Sequence, residues 1–270
     1  NGGTLKNASG SDATFTHALV TDNASYLVDT TVPTVSSVAI TSATGAQANT
    51  LNAGDVVTAT VNMSEATFVN TSLGTPQLKL NIGGTTVLAD FVTSSSGTNA
   101  LQFTYRIQSG QTDANGISID ADALLLNNAT LADAAGNAAT TTHSLVADNT
   151  SFKVDTTAPT VSSVGITSAT GSGTLKVGDT VTVTATMSEA TIVNTTGNKP
   201  QLALNIGGTT VYADYASGSG TTGLVFTYTI KDGQADANGI SIPANALSLN
   251  GGTLSDAAGN AAVITHTAVT

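Results

Sequence analysis

The residues best equipped for chemistry in this chain are carboxylates, and they recur. Asp29 and Asp155 stand 126 positions apart, each opening an Asp-Thr-Thr-x-Pro phrase. Glu65 and Glu189 each close a Met-Ser-Glu triplet, and Asp133 and Asp256 each open Asp-Ala-Ala-Gly-Asn. Asp113 begins Asp-Ala-Asn-Gly, as does Asp236. Carboxylates gathered in one place repel one another on the kcal scale at low effective dielectric. A divalent cation removes that repulsion. Hard oxygens from Asp, Glu, Asn and backbone carbonyls suit Ca²⁺, which takes about six to eight of them, whereas Mg²⁺ demands a tighter octahedron that keeps several waters. The spacing is not of the EF-hand type, so convergence depends on the fold.

Other chemistries lack their parts. Cysteine is absent, which removes disulfides and thiolates. His17, His143 and His266 are one repeat position seen three times, and copies a domain apart cannot share a site. They read as ordinary strand residues. No Gly-x-Ser-x-Gly elbow occurs and no glycine-rich loop opens a helix, so the chain does not read as an enzyme. The net charge of -11 argues against nucleic acid, which needs clustered basic residues. No apolar run reaches the roughly 18 residues of a membrane helix, so no membrane insertion is expected. No signal peptide is visible, and the chain reads as an internal slice of a longer polypeptide.

The elements that must position the carboxylates repeat as well. Residues 1–28 match only the last part of a repeat: Asn1 to His17 aligns with Asn127 to His143 and with Asn250 to His266. Residues 29–154 form one full repeat and 155–270 a second. Tandem domains follow. Hydrophobicity alternates with period two, as in Val181, Val183, Ala185 and Met187, or Leu101, Phe103, Tyr105 and Ile107. Gly83-Gly84 and Gly207-Gly208 read as two-residue hairpin turns. Asp120 to Leu126 breaks the pattern and reads as a short helical turn. Many short strands with one apolar face predict an all-β fold of tandem immunoglobulin-like β-sandwich domains.

Strands that alternate in direction place the Glu65 and Glu189 loops, after the second strand, at the leading end of each sandwich. The Asp133 and Asp256 loops, before the last strand, fall there too, and Asp29 and Asp155 enter there. The loop of Asp113 and Asn115 falls at the trailing end of the first repeat, against the second. Asn137 and Asn260, in the same motif as Asp133 and Asp256, add oxygen donors. Single residues also read as turn formers whose side chains cap backbone amides. That is the reading for Asp55 and Asp179, and it stands beside the ligand reading for Asp113 and Asp236.

Asp-Thr-Thr-Ala-Pro, Met-Ser-Glu and Asp-Ala-Ala-Gly-Asn, in this order, make nearly the whole chain resemble bacterial Ig-like repeats, closest to the extender domains of very large RTX-type, biofilm-associated adhesins. The resemblance implies a repeated spacer, exported by a type I system to the cell surface, stiffened by Ca²⁺ and partnered by its own neighbouring repeats. The leading fragment departs from the pattern, with Lys6-Asn7 where Ala132-Asp133 stands and Ser11-Asp12 where Asn137-Ala138 stands. The alternative function is an adhesion module that itself binds a carbohydrate or protein; near-identity of the two copies favours a spacer. Residues 1–28 hold strands whose sandwich is missing, so they are expected to be disordered or to pair with another chain.

Overall fold

A computed structural model of the chain describes residues 3–170 and 173–269. It forms two compact units, Asn1–Thr31 and Val32–Thr270. The second unit is all-β. In the first repeat the strands are β1 (Val35–Thr44), β2 (Thr50–Leu51), β3 (Val56–Asn70), β4 (Gln77–Ile82), β5 (Thr85–Phe91), β6 (Thr98–Arg106), β7 (Thr112–Asp113), β8 (Leu124–Leu125) and β9 (Thr130–Ala132). β10 (Lys153–Asp155) joins the repeats. The second repeat follows with β11 (Val161–Ala169), β12 (Thr180–Asn194), β13 (Gln201–Ile206), β14 (Thr209–Ser217), β15 (Thr221–Thr229), β16 (Leu247–Ser248) and β17 (Thr253–Ser255).

Each repeat builds one curled antiparallel sheet of seven strands. The first runs β1-β3-β6-β5-β4-β8, and the second runs β11-β12-β15-β14-β13-β16. The curl comes from the longest strand. β3 pairs with β6 as far as Asn62, breaks register, meets β6 again at Thr67 opposite Thr98, and pairs with β9 through Phe68 to Asn70. β12 does the same with β15 and β17. The period-two pattern decides which face is buried. Val181, Val183, Ala185, Leu224 and Phe226 have no exposed surface, while the threonines between them reach outward. The glycine turns form as anticipated: Gly83 and Gly84 have φ of 55° and 84°, the left-handed geometry of a tight hairpin, and Ile82 faces Thr85.

Two expectations are corrected. Asp120 to Leu126 holds no helical turn; it forms a turn leading into β8, and Ser118 bridges Asn81. Among the described residues the one helical segment is a single 3-10 turn at Thr93–Ser95. Glu65 and Glu189 do not follow the second strand of their repeat but sit inside β3 and β12, in the break of register. Extra residues in one strand of a pair make it bulge away from its partner, and the bulge redirects its side chains.

The repeats meet through backbone. β10 lies between β2 and β7, parallel to the first and antiparallel to the second, with Val154 opposite both Leu51 and Asp113. Val154 is buried in the first core. The Thr156 hydroxyl accepts the Gly110 N–H at 2.9 Å and donates to the Gln111 carbonyl at 2.9 Å.

Candidate metal centre

Three elements of the second repeat converge on one point. β10 ends in Asp155, the break in β12 offers Glu189, and the turn after β17 offers Asp256. One carboxylate oxygen from each lies within 4.8 Å of the others, a separation at which all three can ligate one metal ion. Each group is held by its own local structure. Asp155 Oδ1 accepts the Thr157 N–H at 2.9 Å, an Asx turn that fixes the chain as it leaves β10. The break around Glu189 is held because the Ser188 N–H reaches the Thr160 carbonyl at 2.8 Å and the Ser188 hydroxyl accepts the Thr160 N–H at 2.9 Å. Asp256 is buried, and its two oxygens accept the Asn260 N–H at 2.8 Å and Asn260 Nδ2 at 2.7 Å. Gly259, at φ 90°, makes that turn possible.

The electrostatics carry the mark of crowded like charge. Burial, and then the charges of Asp155 and Asp256, push Glu189 above the usual glutamate range. Hydrogen bonds act the opposite way in the first repeat, where the Asn137 side-chain amide, with backbone N–H groups of Asn137, Gly136 and Ala135, holds Asp133 below the usual aspartate range. All three groups of the second-repeat cluster offer hard oxygens, a donor set that fits a divalent cation.

The other predicted residues take different places. Glu65 and Asp133 occupy the same local structures in the first repeat, with Asp133 bonded to Asn137 at 2.8 and 2.7 Å. Asp29 belongs to the N-terminal unit, where its Oδ1 accepts the Thr31 N–H at 3.0 Å. Asn260 donates Nδ2 to the Asp155 carbonyl at 2.8 Å as well as to Asp256, so it orients two acidic residues with its donor side. Asp113 lies outside the cluster: Oδ2 accepts the Gly83 N–H at 2.8 Å and Oδ1 the Gly116 N–H at 2.8 Å. Asn115 donates to Asp148. Asp55 and Asp179 accept backbone N–H groups of Asn52 and Lys176, the work of turn formers.

Sequence reasoning missed two features. Asn52 and Gln47, in the loops before β3, reach the Asp256 turn across the seam, and no spacing rule links residues so far apart. His143 and His266, expected on strands, lie outside them and hold local backbone in place. His266 Nε2 accepts the buried Ala246 N–H at 2.9 Å while Nδ1 lies 2.8 Å from the Thr267 carbonyl, and His143 repeats this with Ala123 and Ser144. Their recurrence in each repeat was the available sign.

Comparison with known protein families finds no family model that matches the chain, and comparison with curated proteins finds no match.

Proposed function

We propose that this chain is a structural spacer: two tandem immunoglobulin-like sandwiches, preceded by the end of another, forming a rod segment of a secreted bacterial cell-surface adhesin. Its work is mechanical. It holds a ligand-binding tip away from the cell, and Ca²⁺ at the seam between repeats turns a hinge into a fixed angle.

The observation that carries this reading is the meeting of Asp155, Glu189 and Asp256 within 4.8 Å, one group from the connecting strand and two from the repeat that follows it. An ion held there ties the linker to the next sandwich. Backbone carbonyls and water complete the shell that Ca²⁺ prefers, and the expected affinity is on the order of 10⁻⁴ to 10⁻³ M, as in other extracellular modules. The resemblance to extender repeats of RTX-type adhesins supplies the biological setting, including type I export and biofilm formation.

The test compares the protein in millimolar Ca²⁺ with the protein in EDTA, by calorimetry and small-angle scattering. A higher melting temperature and a narrower spread of intramolecular distances in Ca²⁺ are expected. Identical melting and scattering in the two conditions would overturn the reading.

A further inference from the structure

Asparagine followed by glycine is a reactive pair in any peptide chain. The glycine nitrogen can attack the asparagine side-chain carbonyl carbon, because glycine has no side chain to obstruct the approach. Among the described residues the pair stands at Asn115-Gly116, Asn238-Gly239 and Asn250-Gly251, and all three asparagines are exposed. The fold treats the three differently.

Two of these pairs are locked by the aspartate two positions before the asparagine. Asp113 Oδ1 accepts the Gly116 N–H at 2.8 Å, and its Oδ2 accepts the Gly83 N–H at 2.8 Å. Asp236 Oδ1 accepts the Gly239 N–H at 3.0 Å, and its Oδ2 accepts the Gly207 N–H at 2.8 Å. The lock acts in two ways. The glycine nitrogen attacks only after losing its proton, and a carboxylate bonded to that proton repels the negative charge that would result. The bond also aims the nitrogen at the carboxylate and away from the asparagine side chain. Asn115 is held further, because its side-chain amide donates to Asp148. Glycine is forced at position 116: φ is 97°, and a Cβ would lie 1.9 Å from the Asn149 carbonyl oxygen.

Asn250-Gly251 has no such lock. Two positions before the asparagine stands Ser248, whose hydroxyl accepts the Asn250 N–H at 3.3 Å. Among the described residues nothing accepts the Gly251 N–H, and Gly251 is exposed. The Asn250 side chain donates Nδ2 to the Lys199 carbonyl at 3.1 Å.

We propose that Asn250 is a site of spontaneous covalent modification in the folded protein, and that Asp113 and Asp236 guard Asn115 and Asn238 from the same reaction. The Gly251 nitrogen gives its proton to solvent base and bonds to Asn250 Cγ. The Cγ–Nδ2 bond breaks, and the side-chain amide takes up a proton and leaves as ammonia. The product is a cyclic succinimide. Water opens that ring at either carbonyl to give aspartate or isoaspartate, with no oxidant or reductant consumed. Both products lose the Nδ2 donor to Lys199. Isoaspartate also adds a carbon to the backbone, in a turn with no room for it. A Cβ on Gly197 would lie 2.5 Å from the Gly251 carbonyl oxygen, and one on Gly252 would lie 2.7 Å from the Asn198 carbonyl oxygen. Modification therefore loosens the connection between β12 and β13 from the turn before β17.

Ageing the 270-residue chain in mildly alkaline buffer, followed by peptide mapping in a mass spectrometer, tests this. Conversion at Asn250 is expected to run at least about 10-fold faster than at Asn115 or Asn238, because a hydrogen bond to a charged group must break before those two can react. In concentrated urea, where the locks are gone, the three rates are expected to converge. Asp236→Asn removes one guarding charge, so Asn238 is expected to approach the rate of Asn250 while Asn115 in the same molecule stays slow. If Asn115 accelerates as well, the variant has unfolded and the wild-type rates decide. Equal rates at the three sites in the folded chain, a spread that persists in urea, or a folded Asp236→Asn variant with Asn238 still slow would overturn the proposal.

Discussion

Asn52 donates its side-chain amide to the backbone carbonyl of Ala258 at 2.9 Å, across 206 positions of sequence. Ala258 is 1% exposed and lies in the turn that presents Asp256. The first repeat therefore holds part of the acidic cluster of the second in place. Asn52→Ala should cost about 0.5–1.5 kcal/mol. Its clearer effect should be local: faster hydrogen exchange in residues 256–260 and weaker metal binding, with the rest of the sheet unchanged.

Glu189 should make the metal-free protein less stable as pH rises. Its carboxyl is held above its ordinary range by burial and by Asp155 and Asp256. The folded state then keeps its proton to higher pH than the unfolded chain does. Stability is greatest while Glu189 is protonated and declines as pH climbs from the ordinary glutamate range through the raised value. Melts in EDTA from pH 4 to 8 should show this slope for the wild type and lose it for Glu189→Gln. The same variant should melt higher than wild type in EDTA at neutral pH and gain nothing from Ca²⁺.

Asp236 should show the opposite dependence. The Gly207 N–H above all, with those of Asn238 and Gly239, holds its carboxyl below the usual range. That contribution is present above the ordinary aspartate range and is lost as pH falls through the lowered value. Asp236→Asn leaves one acceptor oxygen for N–H groups that now occupy two. Its melting temperature should fall below wild type at neutral pH, and the gap should close in acid.

Removing the Phe226 ring should test the second core. Phe226 has no exposed surface, and its ring meets that of Tyr215 edge-on at 5.8 Å. Phe226→Ala should cost about 3–5 kcal/mol in chemical denaturation. Phe15→Ala, at a residue 68% exposed, should change stability by less than about 0.5 kcal/mol.

His266→Ala should leave the Ala246 N–H, on a residue 6% exposed, without its acceptor. A loss of about 1–3 kcal/mol in the same denaturation experiment is expected.

Much of this molecule was legible from residue order alone. Alternation at Val181, Val183 and Ala185 dictates which face is buried, because successive side chains on a strand point to opposite sides. Gly83-Gly84 dictates a tight turn, because few other residues accept left-handed backbone. Repetition dictates two similar sheets and gives Asp155, Glu189 and Asp256 their counterparts Asp29, Glu65 and Asp133. Tertiary structure alone decided the rest. The register break that puts Glu189 inside β12 depends on which strands compete for its ladder. The Asn52–Ala258 contact depends on how the surfaces of the two repeats abut.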